Sequence, residues 1–313
     1  MAPVKAILSK TKVSAQPGGR PPAAVEITPE GVLAAAIPAP GQPPVYAFQP
    51  LAPGTLVLGI GEPNVRAADD LAAAIRTALD QVSPRSRSVS VIIPDIVVRV
   101  FVLDFDTFPA KPLEALPVLR FRLRKMVPFD VEHAGVSYQV LLEKRDDTKV
   151  LAAVLPGPVL AEYEAAVRAA GYEPGAVLPS SLAALAAVDS LEAVLTANLT
   201  PIALTTCISN GQDLLLYRTI DLPANPELRQ DDVRRGVAVA AAYYEDKLGA
   251  RPSRLHFAGH TGTHDTGPIG FARWIADPEL TVVDLAAQPQ TGLITPLGNA
   301  SLAGVSGALA GVR

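Results

Sequence analysis

Two rhythms of apolar residues alternate along this chain. Short apolar runs bounded by Pro and Gly read as buried strands, and stretches in which apolar residues return every three or four positions read as helices with one buried face. The opening hundred residues predict strands at Ala23 to Ile27 and Val32 to Ile37 around a Pro29-Glu30-Gly31 turn, then at Val45 to Phe48 and Thr55 to Ile60. A helix follows from Asn64 to Val82, read from Leu71, Ile75 and Leu79, with Asp69 and Asp70 in its early turns where the helix dipole favours acids. Val89 to Ile93 and Val98 to Asp104 read as buried strands.

The stretch Pro109 to Leu142 compresses a helix, a stop and a strand. Leu116, Leu119, Leu123 and Met126 share one helical face, while Arg120, Arg122, Arg124 and Lys125 fill the positions between them. Pro128 ends the helix by forcing the residue before it out of the α region. Val136, Tyr138 and Val140 then alternate with Ser137, Gln139 and Leu141, a strand pattern. A solvated basic helix covering a sheet accounts for this pattern; the sharper reading makes the arginines a docking face for an acidic or peptide partner.

Val150 to Leu155 is a further strand, and Pro158 opens a helix lined by Leu160, Tyr163, Ala166, Val167 and Ala170, closed by Gly171. Tyr172 to Leu178 returns as a strand, completing a β-α-β unit, and Ser180 and Ser181 cap a helix at Leu182 to Val188. Beyond Asp189 come strands at Ile202 to Ile208 and Asp213 to Leu222 joined by Asn210-Gly211, a helix from Pro226 to Leu248, and a strand at Leu255 to Ala258 running into a Gly/His loop. Phe271 to Ile275 is helical, Leu280 to Val283 a strand, and Asn299 to Leu309 a small-residue helix. Strand clusters alternating with helices in both halves predict two α/β domains.

Composition narrows the function. A net charge of −4 argues against a general nucleic-acid binder. The single cysteine, Cys207, allows no intrachain disulfide, fits a reducing compartment and reads as a buried inert thiol. No apolar run approaches the roughly 20 residues of a transmembrane helix, and no secretory signal opens the chain, so a cytoplasmic location is expected. Residues 1–22 carry Lys5, Lys10, Lys12 and Arg20 without an acid and are expected to form a disordered basic arm; its charge suits an anionic membrane surface. His256, His260 and His264 recur every four residues beside Asp265, but Gly259, Gly262 and Gly267 oppose the helix that would bring them together on a metal, so no metal site is expected. His133 and Trp274 read as surface and packing residues. Asp104/Asp106 and Asp231/Asp232 are close acid pairs, and Gly59-x-Gly61 is an incomplete dinucleotide signal.

Three strings carry a family resemblance: RFRLRKMVPFDVEHAGVSYQVL, VLAAVLPGPVLAEYEAAVRAAGYEPGAVLPSSLAAL and the hairpin TTCISNGQDLLLYRTIDLP. With the final small-residue helix, they make the chain from about Ala23 onward resemble PilM, the actin-like cytoplasmic protein of type IV pilus assembly. GspL and FtsA, of the same broad group, resemble it less closely. The resemblance implies a two-lobed actin-like (ribonuclease H-like) α/β fold. Its first lobe would span 23–188 with an inserted subdomain at about 109–178, and its second lobe 189–313. It also implies an ATP cleft between the lobes, and a groove for the N-terminal cytoplasmic tail of an inner-membrane partner, PilN.

An actin-type site needs two acidic, glycine-bearing hairpins, because backbone N–H groups must approach the phosphates closely. The first hairpin here reads Glu26-Ile27-Thr28-Pro29-Glu30-Gly31, and proline removes a donor. The second reads Leu195-Thr196-Ala197-Asn198-Leu199-Thr200-Pro201, with Thr196 at the acid's place and Asn198 at the glycine's. The adenosine loop, Ala258-Gly259-His260-Thr261-Gly262, keeps Gly259 and Gly262. The expectation is therefore a pseudo-ATPase scaffold with no catalytic residues and no cofactor, ATP·Mg binding being weak at most. It would sit at the inner membrane in pilus assembly and twitching motility, with other pilus proteins as further partners. Arg120, Leu123, Arg124, Pro128 and Phe129 would wall the tail-binding groove. The alternative is an active actin-like ATPase of the pilus or type II secretion machinery.

Overall fold

The computed structural model describes residues 20–144, 147–188, 190, 192–211, 213–259, 267–285, 292–298 and 300–310. In chain order its elements are β1 (Ala23–Thr28), β2 (Gly31–Ala36), β3 (Val45–Pro50), α1 (Ala68–Val82), β4 (Ser88–Ile93), a 3-10 turn (Asp95–Val97), β5 (Arg99–Phe105), α2 (Pro112–Leu123), β6 (Gly135–Lys144) and β7 (Asp147–Leu155). Then come α3 (Gly157–Ala169), β8 (Glu173–Pro179), α4 (Ser180–Leu185), β9 (Ala193–Leu199), β10 (Ala203–Asn210), β11 (Asp213–Asp221), α5 (Pro226–Leu248), β12 (Arg254–Gly259), α6 (Gly267–Ile275), β13 (Thr281–Asp284) and α7 (Ala303–Leu309).

The strands form two five-stranded sheets of one design, ordered β3-β2-β1-β4-β8 and β11-β10-β9-β12-β13. In each, three antiparallel strands are followed by two parallel ones reached through helices. Side chains alternate across a strand, and β1 shows the consequence. Val25 and Ile27 pack with Leu71, Ile75 and Leu79 of α1 and Tyr163 and Val167 of α3. Ala24 faces the other way, into a second cluster with Leu302, Val305 and Leu309 around α7. In the second lobe Leu195, Ala197 and Leu199 pack with Val233 and Val237 of α5 and Phe271 of α6, whose ring stacks on Phe257 at 4.3 Å.

Inside the first lobe's β4-to-β8 crossover lies a separate three-stranded sheet, β5-β7-β6. One face, through Leu151, Ala153 and Leu155, joins the first lobe's core. The other, through Ala152 and Val154, carries α2 by Leu119 and Leu123. The inserted sheet therefore runs from β5 to β7, beginning before residue 109 and ending at Leu155. Residues 156–178 belong to the lobe itself, because β8 pairs in parallel with β4.

Other expectations shift locally. Thr55 to Ile60 forms no strand beyond an isolated Leu56–Val65 bridge. Buried Asn64 folds this segment into a loop: its Oδ1 accepts from Gly59 N–H at 2.9 Å and its Nδ2 donates to Gly59 and Glu62 carbonyls. With Asn64 and Val65 N–H both donating to Glu162, α1 starts only at Ala68. Residues 1–19 lie outside the described chain, but 20–22 are anchored: Arg20 donates to the Gly307 and Ala310 carbonyls, and Ile37 N–H to Pro22. Gly292 to Thr295 lies along β3, bonding both Tyr46 and Phe48. No described helix is long and apolar enough to cross a membrane.

Candidate functional site

The ends of the two sheets meet at a cavity of about 190 Å³. The β1–β2 turn and the β9–β10 turn enter it from opposite sides, through Thr28 to Gly31 and Leu199 to Ile202. Gly259 comes from β12, Pro94 and Asp95 from just beyond β4, Ser180 from the start of α4, and Ser301, Ala303 and Gly304 from the start of α7 and the residues before it. Both hairpins expected to face a cleft do so.

The two turns share a closure. Thr28 Oγ1 donates to the Gly31 carbonyl at 3.0 Å and accepts from Gly31 N–H at 3.3 Å. Thr200 Oγ1 donates to the Ala203 carbonyl at 3.2 Å and accepts from Ala203 N–H at 3.1 Å. Thr-Pro-x-small is thus one motif used twice. It sets the correspondence between lobes: Thr28 matches Thr200, and two residues earlier Glu26 matches Asn198. This corrects the sequence alignment, which put Thr196 at the acid's place. Thr196 lies further down β9, donating to the Cys207 carbonyl at 3.5 Å.

Glu26 and Asn198 converge on α4. Ser180 Oγ donates to Glu26 Oε1 at 2.6 Å, and Asn198 Nδ2 reaches Ser180 Oγ at 3.2 Å. Beside them Asp95 accepts from Ser181 N–H at 3.0 Å, Ser181 Oγ at 2.5 Å, Tyr217 O–H at 2.6 Å and Asn198 Nδ2 at 3.3 Å. Ser180, Ser181 and Asp95 come from the first lobe, Asn198 and Tyr217 from the second. The result is a buried polar clasp across the cleft.

Burial raises the Asp95 pKa, while the Ser181 and Tyr217 bonds pull it back. Burial also lifts Glu26 to about 7, opposed by the Ser180 bond and reinforced by Asp95. Glu26 Oε2 is buried without a hydrogen-bond partner, and Gly304 presses against it: a Cβ there would stand 2.4 Å away. The Tyr217 hydroxyl and the Cys207 thiol are both pushed well up, first by burial and then by Asp95, so Cys207 is an inert core thiol.

Sequence reasoning missed Asp95. Its one signal is an acid between Ile93-Pro94 and Ile96-Val97, an apolar setting that a lone carboxylate enters only with donors waiting. It also took the cleft to lack carboxylates, whereas Glu26 and Asp95 both line it. No Lys, Arg or His lines the cavity among the described residues. Gly259 lines it as expected, but tight strand packing already demands glycine there: φ is +92°, and a Cβ would fall 1.9 Å from the Leu199 carbonyl oxygen. Gly262, His260 and His264 lie outside the described residues, and no group of three metal-ligating side chains occurs among those described.

The residues expected to wall a partner groove divide. Leu123 is fully buried beneath α2, so it supports the helix from below. Arg120 turns inward, its guanidinium donating to the carbonyls of Val131, Glu132 and Ala134 and pinning that loop to the helix. Met126, expected on the buried face, is exposed, because α2 ends at Leu123. Arg124 is exposed and pairs with Glu132 at 2.5 Å, Pro128 is exposed, and Phe129 is half-buried against the α2 cluster. His133 is a surface residue paired with Asp130. Asp231 and Asp232 pair with Arg234 and Arg235 on the surface of α5.

Two sheets of like topology facing one cleft, with a small sheet inserted in the first lobe, define an actin-like fold. No family model matches the sequence, and no curated protein does. Among solved structures, a chain of a PilM-PilN type IV pilus biogenesis complex is similar over 93% of this chain and 98% of that one, with a TM-score of 0.70 and 16% identity. The cytoplasmic domain of EpsL, an inner-membrane component of the type II secretion system of Vibrio cholerae, covers 75% of this chain and 81% of its own at TM-score 0.48 and 14% identity. EutJ, an ethanolamine utilization protein from Carboxydothermus hydrogenoformans, covers 95% of this chain and 91% of its own at TM-score 0.49 and 11% identity.

Proposed function

We propose that this protein is a nucleotide-independent adaptor of type IV pilus assembly, holding the cytoplasmic tail of a PilN-like inner-membrane protein at the cytoplasmic face of that membrane. The observation that carries it is the clasp. Where an actin-type cleft would grip phosphate and Mg²⁺, this one spends Asn198, Ser180, Ser181 and Tyr217 on its own carboxylates. Pro29 and Pro201 withhold backbone donors at both turns. Protein groups thus bridge the lobes directly, so a retained scaffold can present a surface without a nucleotide cycle. Likeness to the PilM-PilN complex supports the choice of partner by analogy of fold.

The tail is extended and adds to an open strand edge, where main-chain bonds give affinity and pockets give register. Among the described strands β6 pairs with β7 alone and is such an edge. Pro128, Phe129 and Arg124 stand at the corner leading into it, with Arg120 and Leu123 holding that corner in place.

Calorimetric titration with Mg·ATP tests the first half: no saturable heat up to millimolar nucleotide is expected. Glu26 and Asp95 also suit an active ATPase, and micromolar Mg·ATP affinity would replace the adaptor with that reading. Titration with the tail peptide tests the second half. Phe129→Ala with Arg124→Glu should weaken binding at least about tenfold, as for loss of an anchoring aromatic; unchanged affinity would remove this corner from the interface.

A further inference from the structure

With Leu123 and Arg120 turned inward, the outward pole of α2 is left unexplained. Leu113, Pro117 and Phe121 follow one another at four-residue intervals along it, with Val118 beside them. Leu113 is 89% exposed and Phe121 66% exposed, two of the most exposed large apolar side chains described. They stand on the far side of the helix from Ala115, Leu119 and Leu123, and thus away from the inserted sheet and the lobe behind it. Apolar side chains clustered on one exposed face and rimmed by polar residues mark an interaction surface.

Charge points to the occupant. Between Lys111 and Met126 there are five basic residues, Lys111, Arg120, Arg122, Arg124 and Lys125, against one acid, Glu114, in a chain whose net charge is −4. Arg120 is spent inside, Lys111 pairs loosely with Glu114 at 3.5 Å, and Arg124 pairs with Glu132. Arg122, within α2, and Lys125, just beyond its end, are exposed close to Phe121 in the chain. Asp130 and Glu132 lie in the following loop, Asp130 held by His133. A leucine and a phenylalanine projecting from an exposed helix face, fringed by cations, suit the headgroup boundary of an anionic bilayer. An extended peptide would instead seek a strand edge or groove.

We infer that the outer face of α2 contacts an anionic lipid surface directly, inserting Leu113 and Phe121 while Arg122 and Lys125 meet lipid phosphates. This deepens the membrane-proximal reading above, yet it requires no partner protein, so the two can fail separately.

Co-sedimentation of the full chain with vesicles tests it without any tail peptide. Vesicles of phosphatidylglycerol and phosphatidylethanolamine should bind the protein, and phosphatidylcholine vesicles should not. Binding should fall steeply as salt rises from 50 to 500 mM. Leu113→Ser with Phe121→Ser should lower the vesicle partition coefficient at least about tenfold, with the thermal melt unchanged because both side chains are in solvent. Arg122→Glu with Lys125→Glu should lower it comparably. No binding of the wild-type chain to anionic vesicles overturns the inference. So does equal binding by the Ser variant, which would hand the affinity to the basic N-terminal residues. Retained tail capture alongside no vesicle binding would overturn the lipid contact and leave the adaptor reading standing.

Discussion

The two lobes are the same sheet built twice, and they differ in what each end of the cleft was given. Strand order and turn match: β3-β2-β1-β4-β8 against β11-β10-β9-β12-β13, Thr28-Pro29 against Thr200-Pro201. At the matching position one lobe offers an acid, Glu26, and the other a neutral amide, Asn198. Closing the turn, one lobe has Gly31 and the other Ala203. The reason is local, since a Cβ at Gly31 would stand 2.4 Å from the Phe48 ring. The first lobe also carries the inserted sheet and α7, while the second carries the long helix α5. The lesson is a division of labour. The second lobe closes the cleft with an uncharged donor, and the first holds both buried carboxylates and the surface elaborations.

The sharpest way to break this picture is to remove the acid on which both lobes converge. Asp95→Ala strands donors from Ser181, Tyr217 and Asn198 in a buried setting, at a cost of about 4 kcal/mol. Urea denaturation measures it, and a loss below about 1 kcal/mol would mean the lobes are held by apolar packing alone. Asp95→Asn retains acceptor capacity and should cost roughly half as much.

Next in size is a pH dependence carried by the first lobe's buried acid. Glu26 moves from 4.5 to about 7 on folding, chiefly through burial. Between those values the folded state holds a proton that the unfolded chain has released. Its stabilising effect is complete below pH 4.5 and is lost as pH rises through 7. The difference amounts to about 3 kcal/mol. Glu26→Gln copies the protonated form and makes the first lobe neutral like the second. Relative to wild type, its stability should be equal near pH 4.5 and higher at pH 8. Parallel stability curves for the two proteins would refute the buried-carboxyl account.

Gly304 carries a smaller effect with the same origin. Gly304→Ala drives a methyl against Glu26 Oε2, at a cost of about 2 kcal/mol. In a Glu26→Ala background the obstacle is gone and most of that penalty should vanish, a coupling that a double-mutant cycle reads directly. Additive losses would place the strain elsewhere along α7.

Much of this is legible in the sequence. Most of the strand-and-helix order follows from periodicity, although β9 is not read as a strand, and α5 matches its expected bounds because Asn225 caps it, Pro226 opens it and Gly249 ends it. The two hairpins are paired through the family resemblance, the second read two residues out of register. Elsewhere the deciding contacts are far apart in sequence. Thr55 to Ile60 has a strand's composition but not its partners, because Asn64 and Glu162 organise it instead. Arg120 has the spacing of a solvated arginine, yet three carbonyls eleven or more residues away claim it. The clasp gathers residues from 26 to 217, and no local window contains it.

The smallest prediction bears most directly on whether the lobes are one design. If the threonine closure is shared, Thr28→Val and Thr200→Val should each cost about 1 kcal/mol, since each loses one donated and one accepted hydrogen bond at a half-buried turn. Valine keeps the volume and the β-branch, so packing should hardly change. The two losses should also add in the double variant, because the hydroxyls share no partner. Denaturant midpoints resolve differences of this size. A cost at Thr28 with none at Thr200 would mean the second turn is set by its sheet, and the match of Glu26 with Asn198 would lose its anchor. Equal costs would leave the acid and the amide as the same position, diverged.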